Sequence, residues 1–302
     1  MRGRSANFVG IVLLPPENRM AHRPLIVRTL PALRRTIKKW RSGGEKIALV
    51  PTMGALHAGH IALVRLARRR ARRVVVSIFV NPTQFAPNED FANYPRAFDA
   101  DLAALEDDGV DAVWAPAVDE MYAAGFATRV VPDGVAKAGL EDAFRPHHFS
   151  GVATVVTKLL VQCAPDMAVF GEKDFQQLKV IEQIVADLDL PVKITGAPIV
   201  REPDGLAMSS RNAYLSTQHR AVAPTLFRVL TDCARRIADK AHVARTLDEG
   251  GIEIQTAGFG LDYFELRHAQ TLAKVGTTGN GPLRLLVAAR IGRTRLIDNV
   301  AV

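Results

Sequence analysis

The chain has 302 residues, of which 48% are apolar and 23% are charged. This length gives a prior of two domains, each large enough to bury a core, and the composition excludes collagen-like, coiled-coil and wholly disordered proteins. Two cysteines, Cys163 and Cys233, are too few and too far apart for a disulfide framework or a zinc site. Their scarcity favours a reducing compartment and predicts a cytoplasmic protein.

The net charge of +8 arises in the first quarter of the chain. Residues 1–73 hold 17 basic and 2 acidic residues, whereas the remainder holds 39 − 17 = 22 basic and 31 − 2 = 29 acidic residues. Arg65, Arg68, Arg69 and Arg72 have helical spacing, which predicts a solvated helix face. Because no aromatic residues are interleaved with these arginines, we do not expect nucleic-acid binding.

The first residues predict neither a signal peptide nor a membrane anchor. A short apolar run at residues 8–14 is followed directly by Pro15 and Pro16, without a small-residue cleavage site. No later run approaches the ~18 apolar residues of a transmembrane helix, so we expect no membrane association. We interpret residues 1–19 as a dispensable extension.

From residue 29 onward, helix-length amphipathic segments alternate with short, almost continuous apolar runs. Such strands without polar alternation predict a parallel sheet covered by helices on both faces, which is a doubly wound, Rossmann-like α/β domain. The predicted strands are residues 47–50, 74–80, 110–114, 167–170 and 192–200, and the predicted helices are residues 29–41, 59–71, 99–107, 149–162 and 176–188.

Beyond Tyr214 the pattern changes to one long helix and glycine-separated strands. We therefore expect a domain boundary near Pro198, with a Rossmann-like domain over residues 20–197 and a small α+β domain over residues 198–302. The predicted elements of this second domain are a helix over residues 217–240, strands over residues 261–267 and 283–289, and hairpin turns at Gly276, Gly279 and Gly281.

The sequence lacks the phosphate loop, the dinucleotide fingerprint, the zincin motif and the esterase elbow. In doubly wound sheets, ligands bind beyond the carboxyl ends of the strands. His57 and His60 follow the strand at residues 47–50 and open a helix, where unsatisfied N–H groups and the helix dipole favour an anion. These imidazoles can donate hydrogen bonds to a triphosphate, and either of them, if protonated, can offset the negative charge on a departing pyrophosphate. Gly59 permits a ligand to approach the backbone closely. A metal pair or ordinary helix-start histidines are the alternatives.

Further cations and hydroxyls follow later strands. Lys173 and Arg211 supply positive charge, and Ser209 and Ser210 supply hydroxyl donors for a second phosphate-binding loop. Taken singly, Lys173 or Arg211 is also compatible with an ordinary surface charge.

Amides and carboxylates complete the candidate site. Asn81, Gln84 and Gln177 can orient a hydroxylated small acid, with loop capping as the alternative. Asp99, Asp101 and Asp174 can reach a magnesium ion mainly through phosphates, and a solvated acidic face is favoured for Asp99 and Asp101.

Six stretches in this order resemble the pantoate-beta-alanine ligase family over the chain from about Leu25 onward. Histidines in the pattern His-x-Gly-His alone would indicate only the wider nucleotidylyltransferase superfamily. The stretches are PTMGALHxGH at residues 51–60, SIFVNPxQF at 77–85, NEDFxxYPR at 88–96, RPxHFxGVxTVVxKL at 145–159, FGEKDxQQL at 170–178 and VREPDGLAMSSRN at 200–212.

The resemblance implies a magnesium-dependent, two-step reaction in a homodimer. Pantoate attacks the α-phosphate of ATP to give pantoyl adenylate and pyrophosphate, and β-alanine then displaces AMP to give pantothenate. Because the adenylate can be hydrolysed, we expect the second domain to act as a lid that excludes water.

The same resemblance implies site residues. It gives His60 the role of proton donor, Gln84 contacts with pantoate and β-alanine, and Gln177 a second contact with pantoate, while the protein ligands of magnesium stay unassigned. The catalytic candidates are His57, His60, Lys173 and Arg211. The ATP site comprises Met53, Gly54, Ala55, Leu56, His57, Ala58, Gly59, His60, Gly171, Glu172, Lys173, Asp174, Val200, Met208, Ser209, Ser210 and Arg211. Ala58 stands where the family often has an acidic residue.

Two rival functions stay open from the sequence. The first is another adenylyltransferase of the superfamily, which would release a nucleotidylated product and show pyrophosphate exchange independent of pantoate. The second is a nucleic-acid-binding protein, which would show steeply salt-dependent binding.

Overall fold

The computed structural model describes residues 23–86, 89, 91–276 and 281–302, which form two sheets with flanking helices. The predicted extension at residues 1–19 and the predicted turn at Gly279 lie outside this part of the chain. The strands are β1 (Leu25–Val27), β2 (Ile47–Thr52), β3 (Arg73–Ile78), β4 (Ala112–Trp114), β5 (Met167–Gly171), β6 (Lys193–Ala197), β7 (Gly260–His268), β8 (Leu283–Ile291) and β9 (Thr294–Ala301). The helices are α1 (Leu30–Ser42), α2 (Ala58–Arg68), α3 (Phe98–Asp107), α4 (Val118–Met121), α5 (Glu141–Phe144), α6 (His148–Cys163), α7 (Phe175–Asp187), α8 (Thr217–Val222), α9 (Thr225–Ala238) and α10 (Val243–Thr256).

The first sheet is parallel throughout and has the order β1-β4-β3-β2-β5-β6. Its central strands β2 and β3 are rich in buried apolar residues because both faces of the sheet are covered. Leu33 of α1 and Val156 of α6 lie in the core on one face, and Leu63 of α2 and Leu102 of α3 lie in the core on the other. The predicted doubly wound α/β fold is confirmed.

The strand order reverses between β2 and β5, since β2 is followed along the chain by β3 on one side and pairs with β5 on the other. In open α/β sheets, a crevice forms outside the carboxyl ends of the strands at such a switch point. The segments that follow β2 and β5 contain His57, His60 and Lys173. The topology therefore brings the principal candidate residues to one place.

The second sheet is antiparallel, has the order β7-β8-β9, and packs against α9 and α10. The single helix predicted over residues 217–240 is wrong: α8 ends at Val222 and α9 begins at Thr225. Pro224 lies between them and serves as the N-cap of α9. Proline has no N–H to donate and its ring clashes with the preceding turn, so the helix is interrupted there.

Five of these elements were not predicted: β1, α4, α5, α10 and β9. The sequence of α10 contains Gly250 and Gly251, which disfavour a helix. Tertiary packing requires one of them, because a Cβ at Gly250 would lie 2.7 Å from Cys233 Sγ. Strand β9 carries Asp298 and Asn299 in its interior, and both side chains are buried in polar contacts.

The predicted stripe of four arginines does not form one solvated helix face. Helix α2 ends at Arg68, so Arg69 and Arg72 lie beyond it. Arg65 Nε donates to Asp108 Oδ1 at 2.6 Å, and Arg68 Nη1 donates to the Asp108 carbonyl at 2.9 Å. These side chains fasten α2 to the end of α3. Among the described residues, no helix is long and apolar enough to cross a membrane.

Candidate active site

A cleft of about 230 Å³ opens at the switch point and is walled by the segments after β2, β3, β5 and β6. Most of the site residues expected from the sequence line it. These are Met53, His57, Gly59, His60, Gln84, Gly171, Lys173, Asp174, Gln177, Val200, Met208, Ser209, Ser210 and Arg211. The other candidates, Gly54, Ala55, Leu56, Ala58 and Glu172, are not among the lining residues.

The two histidines cap the helix that they open. His57 Nδ1 accepts from the Gly59 N–H at 3.1 Å, and His60 Nδ1 accepts from the His57 N–H at 3.3 Å. A backbone N–H can only donate, so both Nδ1 atoms are unprotonated. In the neutral form each ring therefore carries its proton on Nε2 and can donate to a ligand from that atom.

Both imidazoles are neutral at pH 7. Burial, reinforced by the Lys173 ammonium, lowers the pKa of His57 to about 4. Burial, reinforced by His57 and then Lys173, lowers the pKa of His60 to about 3. The ring centroids lie 4.1 Å apart, and this closeness disfavours a positive charge on either ring. The histidines of the ligand-free protein are thus neutral hydrogen-bond donors.

A buried carboxylate holds the loop between β2 and α2. Asp101 Oδ2 accepts from the Ala55 N–H at 2.9 Å and its Oδ1 accepts from the Leu56 N–H at 2.7 Å. Gly54 and Ala55 have φ values of 81° and 51°, in the left-handed region. The favoured placement of Asp101 on a solvated face is wrong, because its side chain is 3% exposed and supports the loop that carries His57. Asp99 is exposed, as that interpretation expects.

Lys173 and the loop at residues 208–211 provide cationic and hydroxyl groups to the cleft that the histidines line. Lys173 Nζ lies 3.7 Å from Asp174 Oδ2, within a short 3-10 turn between β5 and α7. Ser209 Oγ accepts from the Arg211 N–H at 3.2 Å. Ser210 Oγ lies 3.3 Å from the hydroxyl of Tyr94, a cleft-lining residue of the NEDFxxYPR stretch to which the sequence assigned no role.

The side chain of Asn81 holds the segment after β3 in place. Its Nδ2 donates to Gln84 Oε1 at 3.0 Å and to the Gly151 carbonyl at 3.2 Å, and its Oδ1 accepts from the Tyr122 hydroxyl at 2.8 Å. Asn81 is 1% exposed. Its amide is thus occupied in capping the loop, whereas Gln84 Nε2 faces Met53 Sδ at 3.1 Å in the cleft wall.

Arg145 and His148 are cleft residues to which the sequence pattern assigned no chemistry. His148 Nδ1 lies 3.1 Å from the Gln84 carbonyl, and its Nε2 lies 3.2 Å from Arg145 Nη1. Since a carbonyl only accepts and a guanidinium only donates, the proton of His148 resides on Nδ1. Arg145 in turn forms a two-point ion pair with Glu89 at 2.6 and 2.8 Å. The motif containing Arg145 and His148 was visible in the sequence, but its contact with residue 84 spans more than sixty positions.

No cluster of three or more histidine, cysteine, aspartate or glutamate side chains that could hold a metal ion occurs in the described ranges. The alternative of a metal site built on the histidine pair therefore has no third protein ligand in this part of the chain. Among the described residues that line the cleft, Asp174 is the one carboxylate, and its side chain is 48% exposed.

A doubly wound sheet with paired neutral histidines and a lysine at its switch point defines the class of nucleotide-binding α/β enzymes. The chain belongs to the pantoate-beta-alanine ligase family, whose model matches residues 25–301. Members of this family are ligases that form the amide bond of pantothenate in an ATP-dependent reaction.

Individual relatives agree with this assignment. The chain is 62% identical to pantothenate synthetase 2 of Bradyrhizobium diazoefficiens over 283 residues, which cover 94% of this chain and 100% of the relative. It is 62% identical to the pantothenate synthetase of Nitrobacter winogradskyi over 279 residues, which cover 92% of this chain and 99% of the relative.

Solved structures show the same architecture. The pantothenate synthetase of Thermus thermophilus superimposes with a TM-score of 0.87 and 45% identity over 91% of this chain and 98% of that one. The pantoate-beta-alanine ligase of Francisella tularensis, in complex with beta-gamma ATP and beta-alanine, gives a TM-score of 0.76 and 35% identity over 92% of this chain and 97% of that one.

Proposed function

We propose that the cleft condenses pantoate with β-alanine through a pantoyl adenylate. A pantoate carboxylate oxygen attacks the α-phosphorus of ATP, the bond from that phosphorus to the β-phosphate bridge breaks, and pyrophosphate leaves. The β-alanine amine then attacks the acyl carbon, AMP leaves, and the amine loses a proton. The observation that carries the proposal is the convergence of His57, His60, Lys173 and Arg211 on one cleft at the switch point of the sheet.

The first step brings a carboxylate toward a polyphosphate, so the site must offset negative charge and align the reactants. Lys173 and Arg211 supply fixed positive charge, and the Nε2–H groups of His57 and His60 donate to phosphate oxygens. Because both histidines are neutral before ATP binds, their role is to donate hydrogen bonds that strengthen as pyrophosphate departs. Donation from Nε2 gives His60 the proton-donor role while its Nδ1 still accepts the His57 N–H.

The remaining candidates fall into contacts and supports. Ser209 and Ser210 donate to phosphates, and Gln84 and Gln177 hold pantoate, with Gln84 also reaching β-alanine. The other ATP-site candidates that line the cleft surround the nucleotide. The ATP-site candidates that do not line the cleft support the segments that carry the lining residues. These candidates are Gly54, Ala55, Leu56, Ala58 and Glu172.

We further propose that magnesium accompanies ATP. This cation is usually held by substrate phosphates with one or two carboxylates, and Asp174 is suitably placed in the wall to be such a carboxylate. Bound magnesium would neutralise part of the triphosphate charge. A homodimer, a cytoplasmic location and a domain boundary near Pro198 complete the proposal. The boundary is supported by the end of β6 at Ala197, just before that residue.

The test is AMP formation with pantoate, β-alanine and MgATP, with each component omitted in turn. Pantoate, β-alanine, magnesium and ATP must each be required. Lys173→Ala should slow pantoyl adenylate formation sharply and spare the reaction of supplied adenylate with β-alanine. Equal losses in both half-reactions would remove the assignment of Lys173 to the first step.

A further inference from the structure

Strand β9 of the second sheet reaches across to the short turn that carries Lys173. Asn299 Nδ2 donates to the carbonyl oxygens of Glu172 and Lys173, both at 3.0 Å. Asn299 is 2% exposed, so these bonds are shielded from water. Two successive carbonyls on the turn are thus fixed by a single amide from a distant part of the chain.

The orientation of this amide is determined by a third residue. Arg284 Nε, on β8, donates to Asn299 Oδ1 at 2.6 Å, and Arg284 Nη2 donates to Glu172 Oε2 at 3.0 Å. Since a guanidinium can only donate, it selects the Oδ1 side of the amide and directs Nδ2 toward the two carbonyls. Its guanidinium carbon also lies 4.4 Å from the centroid of the Phe175 ring, which limits its movement.

Lys173 itself needs such support. Its side chain is 20% exposed, and its ion pair with Asp174 spans 3.7 Å to a half-exposed carboxylate in a high-dielectric setting. That contact is a weak determinant of where the ammonium lies. The backbone of the turn is the stronger one, and Asn299 holds that backbone.

We propose that Asn299 is a positioning residue for the reaction: it fixes the backbone of Glu172 and Lys173 so that the Lys173 ammonium meets the phosphates of ATP. This inference rests on the proposed role of Lys173 in adenylate formation. Asn299 touches no substrate in this scheme and acts through Lys173.

The test variant is Asn299→Asp, which keeps the size of the side chain and the acceptor for Arg284 but removes both donors. It places carboxylate oxygen against two carbonyl oxygens, so the turn shifts. Misplacement of a catalytic group by about 1 Å can cost on the order of 100-fold. In single-turnover assays, we expect adenylate formation to fall about 10- to 100-fold, while supplied pantoyl adenylate reacts with β-alanine at the wild-type rate.

The control is Leu285→Val, in the core of the second domain. It lowers the thermal unfolding midpoint without touching the turn, and both half-reactions should keep their rates. A double variant, Asn299→Asp with Lys173→Ala, should be no slower in adenylate formation than Lys173→Ala alone, because the asparagine acts through the lysine.

Three outcomes overturn the proposal: an unchanged rate of adenylate formation in Asn299→Asp, an equal loss in both half-reactions, or a full additional loss in the double variant. If Lys173→Ala itself forms adenylate at the wild-type rate, the proposed function of Lys173 fails first. If Lys173→Ala forms adenylate slowly and Asn299→Asp forms it at the wild-type rate, only the inference about Asn299 fails.

Discussion

His57 and His60 illustrate how much of the site can be predicted from residue identity. Their spacing and position after a buried strand predicted an anion-binding helix start, and both residues do line the cleft. The spacing could not predict that both Nδ1 atoms accept backbone N–H groups, because that depends on side-chain torsions. This detail determines which nitrogen of each ring faces a ligand as a donor.

Two replacements of His60 distinguish the effect of its hydrogen-bond donor from the effect of a positive charge on its ring. His60→Ala should slow single-turnover adenylate formation by ~10²- to 10³-fold, the usual cost of a lost transition-state donor. His60→Gln retains a neutral donor and should recover part of this loss. Neither variant should greatly change the apparent affinity for β-alanine. A wild-type rate of adenylate formation in His60→Ala would make the residue structural only.

The buried imidazoles make stability depend on pH. Burial, with Arg145 nearby, lowers the pKa of His148 to about 4, against an ordinary value of 6.5. Between these values the unfolded chain binds a proton that the folded protein does not, so folding stability falls as the pH drops. The full slope is about 1.4 kcal/mol per pH unit for each such group. Urea unfolding at pH 7, 6 and 5 should show this decline, and His148→Gln should show a smaller one.

At the scale of elements, α3 has a function that its sequence concealed. The alternating acidic residues of its first turn suggested solvent exposure, and Asp99 has it. Asp101 instead points to the loop after β2, because the parallel sheet places α3 beside that loop. Such a long-range contact has no local signal in the sequence. The same limit applies to β9, where Asp298 pairs with the distant Arg201 and Asn299 donates to Glu172 and Lys173 of the first domain.

Asp101→Ala leaves the N–H groups of Ala55 and Leu56 without their carboxylate acceptors. Hydrogen bonds to charged groups each contribute about 1.5–3 kcal/mol, so we expect a loss of about 3 kcal/mol in the free energy of unfolding. Activity should fall as well, because this loop leads into His57. Asp99→Ala, on the same helix turn and exposed, should change stability by less than about 0.5 kcal/mol. Urea denaturation of both variants is the measurement, and equal effects would contradict this role for Asp101.

For the whole molecule, the sequence predicted two sheets of the right kinds but not how they meet. The parallel sheet followed from uninterrupted apolar runs, and its edge predicted the cleft. One contact between the two parts of the molecule centres on Glu141 of α5, which is 7% exposed. Arg295 of β9 donates to both of its oxygens at 2.7 and 2.9 Å, and the Tyr263 hydroxyl of β7 donates at 2.8 Å. Although burial opposes ionisation, the bonds from Arg295 hold the pKa of Glu141 below its ordinary value.

Breaking this ion pair should loosen the docking of the two sheets. Glu141→Ala leaves the Arg295 guanidinium buried with Asp262 as its remaining carboxylate, and losing one partner of a buried pair costs about 3–5 kcal/mol. Glu141→Met combined with Arg295→Met should recover much of that loss. Lys137→Ala, which breaks an exposed ion pair with Asp133, should cost less than about 1 kcal/mol. The measurement is thermal and urea unfolding of the wild type, Glu141→Ala, the double methionine variant and Lys137→Ala. A Glu141→Ala variant as stable as the wild type would refute the role of this ion pair in docking.

Gly59 was expected to let a ligand approach the backbone, yet the nearest group is the imidazole of its own motif. A Cβ at Gly59 would lie 2.8 Å from His57 Nδ1 and Cε1, and would displace the ring from the N–H that it accepts. Its neighbour Ala58 is exposed. A library randomised at both positions should therefore accept many side chains at 58 and retain glycine at 59. In the pattern His-x-Gly-His, the open position 58 and the required glycine at 59 would then both follow from the way the His57 ring folds back over the start of the helix.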